Sequence, residues 1–315
     1  MTAALALFGY AALVGLLAPR SLARAHWPHR APRLAVALWQ GLALSFVTAL
    51  VLAVHHLAVP GVHPHLGLLG PVHLDRVDLD GVHLDRVDLD GVVHGAGLPA
   101  GTAWRLLIPA AAASLPLARL VGALLRTARH RRRHRVLLDL VAVRDPALGA
   151  HVLEHPVPAA YCLPGLRPRI VLTRGALDLL TAPQLAAVLA HERAHVSGRH
   201  HLARVAADAF AAAFPYLPLA RHAAREVPLL LEMAADDRAV LRHPRAALAA
   251  AVFRVAGGPA PHAAFGAGGT AALLRVRRLL HPAAAPHPAL CAAAALTSAG
   301  APVLPLLVTC GPALL

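Results

Sequence analysis

The stretch Val188-Leu-Ala-His-Glu-Arg-Ala-His-Val196 decides how this sequence is interpreted, because it contains the pattern His-Glu-x-x-His. On an α-helix, His191 and His195 lie one turn apart on the same face, so both imidazoles can reach one metal ion at about 2.0–2.1 Å. Glu192 lies about 100° around the helix from His191 by the ~3.6-residue repeat. A general base that deprotonates a zinc-bound water stands in this position. The stretch therefore predicts a helix that carries a hydrolytic zinc site.

Histidine is common in this chain, so the pattern has to be weighed against chance. The chain contains 22 His, but it contains only four Glu: Glu154, Glu192, Glu226 and Glu232. A random chain of this composition holds roughly 0.02 such patterns. Accident is therefore a poor explanation for this one.

A second acidic segment, Glu232-Met-Ala-Ala-Asp236, places two carboxylates one helical turn apart on the same face. A catalytic zinc bound by two histidines needs a further protein ligand, and an outer carboxylate commonly orients one of the imidazoles. This segment can supply both groups. The alternative is a pair of solvated surface carboxylates beside Arg238.

The two segments together, His191-Glu-x-x-His195 and Glu232-x-x-Ala-Asp236, resemble the gluzincin peptidases that carry membrane anchors. The resemblance is closest to the BlaR/MecR family of membrane metallopeptidases and more distant to the HtpX and CAAX prenyl protease family. It covers roughly Val136 to Ala250, and the order of hydrophobic segments extends it over most of the chain. One departure is Arg193, since zincins prefer uncharged residues between the histidines; a side chain that points outward would accommodate it.

The resemblance implies a fold, a cofactor and a role for each site residue. The fold is a multi-span α-helical membrane protein with a cytoplasmic α+β zincin-like metallopeptidase domain. Zn²⁺ is bound by His191, His195 and Glu232, while Glu192 is the catalytic base and Asp236 lies in the outer shell of the metal. The residue that stabilises the oxyanion is left open among four candidates: His200, His201, Tyr216 and Arg238.

The composition places the chain among membrane proteins, because 57% of its residues are hydrophobic and its mean hydropathy is +0.58. A net charge of +14 is typical of nucleic-acid-binding domains. Here, however, the basic residues are all arginines that cluster at the ends of apolar segments, where membrane topology explains them. We therefore expect a lipid bilayer as a partner and no direct nucleic-acid binding. The three cysteines are too few and too scattered for a disulfide frame, so free thiols are expected.

Four apolar segments set the predicted topology. The predicted order is two transmembrane helices with a basic cytoplasmic loop (1–59), an extracytoplasmic acidic loop (60–103), a third transmembrane helix (104–125), a cytoplasmic zinc peptidase domain (126–287) and a C-terminal transmembrane helix (288–315). Thr2–Ala18 and Leu34–Val59 are the first two spans. Arginines between and after the spans mark the cytoplasmic side by the positive-inside rule: Arg20, Arg24, Arg30, Arg33, the run from Arg126 to Arg135, Arg275, Arg277 and Arg278. The catalytic domain is thus predicted on the inner face of the cell membrane.

The predicted outer loop contains an internal duplication, in which Val72–Gly81 is repeated as Val82–Gly91. Two copies are too few for a solenoid, which needs at least ~3 repeats, and neither copy has the spacing of an EF-hand calcium loop. We interpret the repeat as an acidic extracytoplasmic loop. A weak cation or ligand sensor is the alternative.

Within the peptidase domain, β-branched content predicts strands at Leu137–Val143, Ala159–Leu163 and Arg169–Thr173. Thr181-Ala-Pro-Gln184 reads as a capping box that begins the metal-binding helix, and Gly198 is where that helix weakens. By resemblance to zincins, Ile170–Leu172 is positioned as the sheet edge on which a substrate lies as an added strand.

Two later segments complete the predicted domain. Leu202–Ala220 is apolar, but burying Asp208 at mid-bilayer costs about 2.5–3.5 kcal/mol, so a helix hairpin on the core or at the inner leaflet is predicted instead of a span. Ala246–Arg278 is predicted to be helical, with breaks at Gly257-Gly258 and at Gly266 to Gly269.

The predicted function is that of a membrane-anchored zinc endopeptidase. The resemblance implies a protein substrate, a cytoplasmic regulator such as a BlaI-like transcriptional repressor that is cut in response to a signal. Two alternatives remain, an HtpX-like protease for membrane-protein quality control and a non-catalytic membrane scaffold.

Overall fold

A computed structural model describes residues 2–58, 103–165, 168–257 and 267–310 of the chain. The duplicated segment Val72–Gly91, and with it the predicted acidic loop, lies outside the described residues. In the described residues the protein consists of helices and one small sheet.

The helices and strands follow one another in this order: α1 (Thr2–Ala12), a π-helical turn (Leu13–Leu17), α2 (Ala18–Arg24), α3 (Pro32–Ala58), α4 (Ala103–Val141), β1 (Ala142–Asp145), β2 (Ala150–Leu153), β3 (Ala160–Leu163), β4 (Arg169–Thr173), α5 (Arg174–Leu179), α6 (Ala182–Ser197), α7 (His200–Ala213), α8 (Pro218–Ala239), α9 (Arg245–Ala256), α10 (Ala267–Leu280), α11 (Pro288–Gly300) and α12 (Leu304–Cys310). A short 3₁₀ turn, Trp27–His29, separates α2 from α3.

Two helical segments near the N-terminus are long and apolar enough to cross a membrane. They are Thr2–Arg24, which runs through α1, the π-turn and α2, and Pro32–Leu57 of α3. Both exceed the ~20 residues that a bilayer requires, and both lie where the sequence analysis places the first two spans. The third predicted span, 104–125, lies within α4 (Ala103–Val141) and stays a prediction.

Helix α4 corrects one prediction about the sheet. It continues without interruption to Val141, so most of the predicted strand Leu137–Val143 is helical and the sheet begins only at Ala142. From the helix, Leu138 packs against Leu163 and Val171 on one face of the sheet. This tertiary contact outweighs the local strand preference, as is common for short apolar segments.

The predicted C-terminal span, 288–315, is not one continuous helix where the structure describes it. Helix α11 covers 13 residues, about 20 Å, whereas the hydrocarbon core of a bilayer is about 30 Å thick. Pro302 and Pro305 interrupt it, because proline lacks the N–H that a helix interior needs. Helix α11 packs on α3 at Gly41, where a Cβ atom would lie 2.5 Å from the carbonyl oxygen of Ser298.

The sheet has the strand order β1-β2-β4-β3, in which β2 and β4 are parallel and the other neighbours are antiparallel. The strands predicted at 159–163 and 169–173 correspond to β3 and β4 and are confirmed. The prediction that Ile170–Leu172 forms the substrate edge is wrong, because β4 is paired on both sides. The sequence analysis did not predict β2, which pairs with one side of β4. Because β3 pairs with the other side, the edge near α6 among the described strands belongs to β3.

The largest core joins the N-terminal helices to a helix hairpin. Helix α7, the turn 214–217 and the start of α8 form the hairpin predicted at Leu202–Ala220, and it packs on α3. The Phe46 ring lies 6.1 Å from the Phe210 ring and 5.3 Å from the Phe214 ring, both edge to face. The two apolar N-terminal helices and the helix that carries Glu232 are therefore parts of one packed unit.

Candidate metal centre

Helix α6 is positioned by its cap and by the sheet beneath it. The backbone N–H of Thr181 donates to Oε1 of Gln184 at 3.1 Å, which confirms the predicted capping box. Leu189 packs against Ile170 and Leu172 on one face of the sheet. The helix ends at Ser197, with Gly198 as the C-cap residue. These contacts turn the face that carries the two histidines toward α8.

The structure brings His191, His195 and Glu232 together, although a helix hairpin (α7 and the first part of α8) lies between the histidines and Glu232 in the sequence. The Nε2 atoms of His191 and His195 are 3.1 Å apart. Carboxylate oxygens of Glu232 lie 3.3 Å from Nε2 of His191 and 3.4 Å from Nε2 of His195. These donor atoms all lie within 4.8 Å of one another, so the group could hold one metal ion.

The geometry of these donor atoms fits a tetrahedral zinc ion. Ligand atoms at 2.0–2.1 Å in a tetrahedral arrangement are separated by roughly 3.3 Å. The Nε2–Nε2 distance of 3.1 Å is close to this value, and Glu232 approaches His191 through Oε2 and His195 through Oε1. Here two imidazole nitrogens and a carboxylate face one another. This arrangement is unfavourable unless a proton or a metal cation lies between them. The residues present therefore fit a divalent cation.

Outer contacts fix both imidazoles in the orientation that such a cation needs. Nδ1 of His191 lies 2.9 Å from Oδ1 of Asp236, which is completely buried. Nδ1 of His195 lies 2.9 Å from Nδ1 of His200. The contact of His191 with Asp236 is at ion-pair distance without the alignment of a hydrogen bond, and both Nδ1 contacts leave Nε2 directed at Glu232. Asp236 lies beside His191, and its predicted role in the outer shell of a metal stays a prediction; His200 was not predicted to contact His195.

Arg275 of α10 is a residue of this centre that sequence reasoning missed. It lies 2.8 Å from Oε2 of Glu232, and it donates to both carboxylate oxygens of Asp236 at 2.7 and 2.9 Å. In the sequence it is one of three arginines at the end of an apolar helix. The positive-inside rule explained all three, so no role in the metal centre was predicted for Arg275. No spacing rule relates a residue of α10 to α8, and only the tertiary fold places its guanidinium between the two carboxylates.

The charges of the centre set its protonation. Burial alone raises the pKa of Glu232, but the bond with His191 and the charge of Arg275 outweigh it and hold that pKa at about 2. Burial also opposes ionisation of Asp236, yet Arg275 and His191 hold its pKa well below the usual range. Burial lowers the pKa of His195 to about 4. At neutral pH the centre therefore offers two carboxylates and a neutral imidazole.

His191 shows how strongly the centre attracts positive charge. Burial lowers its pKa, but contacts with Asp236 and Glu232 outweigh burial and raise the value to about 9. The carboxylates that favour a proton on this imidazole also favour a metal cation beside it.

Glu192 is buried next to the group, at 7% exposure. Burial is the main reason that its pKa is raised, and the negative charge of Glu232 adds to it. The thiol of Cys162 on β3 lies near this carboxylate and acts in the opposite direction, lowering the pKa of Glu192. Burial and the charge of Glu192 raise the pKa of that thiol to about 11, so it stays protonated. Cys162 is a free thiol, as predicted, and its contact shows that edge strand β3 borders the centre.

The remaining candidates are dispersed. Tyr216 is 92% exposed in the turn before α8, about 21 Å along the helix from Glu232. Arg238 lines a cavity together with His200. Arg193 points away from the histidines and donates to the carbonyl of Leu148 at 3.1 Å, which explains why a charge is tolerated between them.

Comparison with known proteins gives one match. Residues 125–252 match the model of Peptidase family M48, and this segment contains the whole predicted ligand set. This segment is similar to a metallopeptidase family whose members are typically zinc-dependent. The match does not distinguish a BlaR/MecR subtype from an HtpX subtype. No curated protein and no solved structure gives a significant match to the chain.

Proposed function

We propose that the protein is a zinc endopeptidase anchored in a membrane, in which His191, His195 and Glu232 bind the metal and Glu192 is the catalytic base. One observation carries the proposal. Donor atoms from two separate helices, α6 and α8, converge to distances of 3.1–3.4 Å beside a buried carboxylate. A structural helix pair has no reason to bring two imidazole nitrogens and a carboxylate face to face.

The chemistry follows from the roles of these residues. Zinc, when bound, supplies a Lewis acid that polarises a peptide carbonyl and lowers the pKa of water toward ~7. Glu192 accepts the proton of the attacking water and then donates it to the leaving amine. Its raised pKa suits both steps, because the protonated form becomes accessible nearer neutral pH.

Two outer residues hold this arrangement in place. Asp236 orients the imidazole of His191, and Arg275 binds Asp236 and Glu232 at the same time. The guanidinium thus fixes the metal ligand and its orienting carboxylate relative to each other.

A peptide substrate is proposed to bind along β3 rather than β4. Among the described strands β3 pairs only with β4, so its other edge presents unpaired backbone groups. This edge borders Glu192 through Cys162. An extended peptide that adds a strand there would pass the base and the metal group.

The membrane anchor and the substrate class are parts of the same proposal. The two apolar N-terminal helices support a membrane location, and the arginines that follow them favour a cytoplasmic catalytic domain in a multi-pass protein. A cytoplasmic protein, such as a BlaI-like repressor, is the proposed substrate. Degradation of misfolded membrane proteins, as by HtpX, is the alternative class of activity.

The test is a comparison of the wild-type protein with Glu192→Gln in cells, followed by proteomic identification of new protein termini. Loss of cleavage with zinc still bound is expected, since the ligands are unchanged. Glu154→Gln is the matched control, because Glu154 lies in an exposed ion pair with Arg174 on the surface. If Glu192→Gln removes a single protein terminus that wild-type cells contain, a regulator is favoured as the substrate. If it removes many such termini, quality control is favoured. A biological effect that survives Glu192→Gln would instead indicate a scaffold.

A further inference from the structure

A second cavity, separate from the metal centre, lies where the loop between the first two apolar helices meets α8 and α10. It encloses about 520 Å³. Its walls carry seven basic side chains and one acidic side chain: His26, His29, Arg30, Arg245, Arg277, Arg278, His281 and Asp237. We refer to it as the basic cavity.

The one acidic group among these lining residues is already paired. Arg278 lies 2.7 Å from Asp237 and also donates to the backbone carbonyl of His29 at 2.6 Å, so it joins the loop to α8. Arg30, Arg245 and Arg277 have no acidic partner among the described residues, and all three are exposed. Three guanidinium charges therefore remain uncompensated around one cavity, which favours a bound anion.

The donor set suits a phosphate group. Each guanidinium presents a planar fork of N–H donors that matches two oxygens of a phosphate, and arginine is the preferred residue for such contacts. A carboxylate has only two oxygens and one negative charge, so it would leave some of the guanidinium N–H donors of the three arginines without an acceptor. The volume lies within the usual range of ligand sites, about 300–1,000 Å³.

The position of the cavity indicates where such a phosphate comes from. The loop that contributes His26, His29 and Arg30 connects Thr2–Arg24 to α3, the two helices suited to cross a membrane. The opposite wall includes Pro282 and Ala285, which lead into apolar helix α11. The cavity thus lies at the common end of three apolar helical segments. Basic pockets at this level of a bilayer bind anionic lipid head groups.

We propose that the basic cavity binds a phosphate group, from an anionic lipid head group or from free phosphate. The lipid source rests on the proposed membrane location, whereas phosphate binding itself rests on the charges alone. Met233 and Asp237 line the cavity and directly follow Glu232 and Asp236 in the sequence. A bound phosphate ties the N-terminal loop to the helix that carries the third metal ligand.

The experiment uses the full chain in a neutral detergent, titrated separately with dioctanoyl phosphatidylglycerol, dioctanoyl phosphatidylcholine and inorganic phosphate by calorimetry. Binding of phosphatidylglycerol with little binding of phosphate identifies a lipid head group, and phosphate binding without the lipid identifies free phosphate. Phosphatidylcholine is expected to bind more weakly than phosphatidylglycerol, since its phosphate charge is balanced by choline. Failure of phosphatidylglycerol and inorganic phosphate to bind overturns the proposal.

A pair of variants locates the binding. The double variant Arg245→Gln, Arg277→Gln should lower the affinity for whichever ligand binds by roughly 30-fold. This figure follows from the attraction of about 1 kcal/mol that each arginine contributes near an anionic lipid. Arg199→Gln with Arg254→Gln removes the same charge from exposed positions outside the cavity and should change little. Equal weakening by both pairs would mean a general charge effect and refute the site. The readout needs neither zinc nor peptidase activity, so its failure is distinct from failure of the proposed function.

Discussion

The metal centre and the basic cavity share helix α8 but carry opposite charge. The metal centre contains three carboxylates, Glu192, Glu232 and Asp236, against one guanidinium, Arg275. The basic cavity contains one carboxylate, Asp237, against several guanidiniums. In each region internal ion pairs compensate part of the charge, and the excess that remains fits a divalent cation in one region and an anion in the other.

The neighbouring carboxylates Asp236 and Asp237, one in each region, also differ in burial. Asp236 is completely buried, whereas the side chain of the next residue, Asp237, is 37% exposed. A buried charge that loses its partner keeps the full cost of its desolvation, but an exposed charge regains water. Substitutions in the metal centre are therefore expected to have the larger effects, and four variants test that order.

The largest effect is expected from Glu232→Gln. The amide cannot replace a charged ligand, so stoichiometric zinc should be lost and peptidase activity should fall to background. Metal analysis of the purified protein and cleavage assays measure this change. Glu226→Gln on the same helix is the control and should retain both properties. Full zinc content in Glu232→Gln would remove this residue from the ligand set.

Arg275→Gln should come next, because it leaves Glu232 and Asp236 without their cation. Breaking a buried ion pair typically costs about 3–5 kcal/mol of unfolding free energy. Urea unfolding measures the loss, and competition with a zinc chelator measures metal affinity. A role limited to folding would lower stability and leave zinc affinity unchanged. Recovery of zinc affinity in Arg275→Lys would support positioning by charge.

Asp236→Asn should weaken zinc binding while leaving the ligands themselves intact. Loss of a carboxylate that orients a metal-bound histidine typically costs 10–100-fold in metal affinity. Zinc titration against a chelator gives the value. An affinity equal to that of the wild type would show that the 2.9 Å contact with His191 does not orient the ligand.

Asp237→Asn should have the smallest effect on the metal centre and the opposite effect on the basic cavity. It frees Arg278, so anion binding should strengthen, by about fivefold for one additional guanidinium charge. Zinc affinity should not change. The two neighbouring variants thus form a matched pair, and a similar response of zinc binding to both would refute the separation of the two regions.

Local sequence rules predicted the parts of the centre that lie on single helices. The one-turn spacing of His191 and His195 specifies a shared face, and the capping residues at Thr181 and Gln184 fixed where that helix begins. Glu232 and Asp236 were predicted by the same spacing on a second helix. Their convergence with α6 was an expectation from resemblance, and the fold places them within 3.3 Å and 2.9 Å of His191.

Predictions failed where the answer depended on partners distant in sequence. The strand predicted at Leu137–Val143 is mostly helix because Leu138 packs on the sheet, and Ile170–Leu172 is internal because β2 pairs beside it. The C-terminal apolar segment was predicted as one helix, yet the structure divides its described part into α11 and α12. That this segment crosses a membrane stays a prediction. In each case the composition of a segment indicated that it is apolar, but it did not indicate which other segments pack or pair with it.

The sequence by itself therefore determined the helical periodicities: which side chains share a face, where the metal helix is capped, and which segments are apolar. These properties depend on residues three or four positions apart, so short-range rules are sufficient. Only the tertiary structure decided that Arg275 lies between two carboxylates, that β3 is the free edge, and that arginines from three segments surround one cavity. Those outcomes depend on packing between elements that can be more than 200 residues apart, such as the contact of Arg278 with His29, and no local periodicity encodes them.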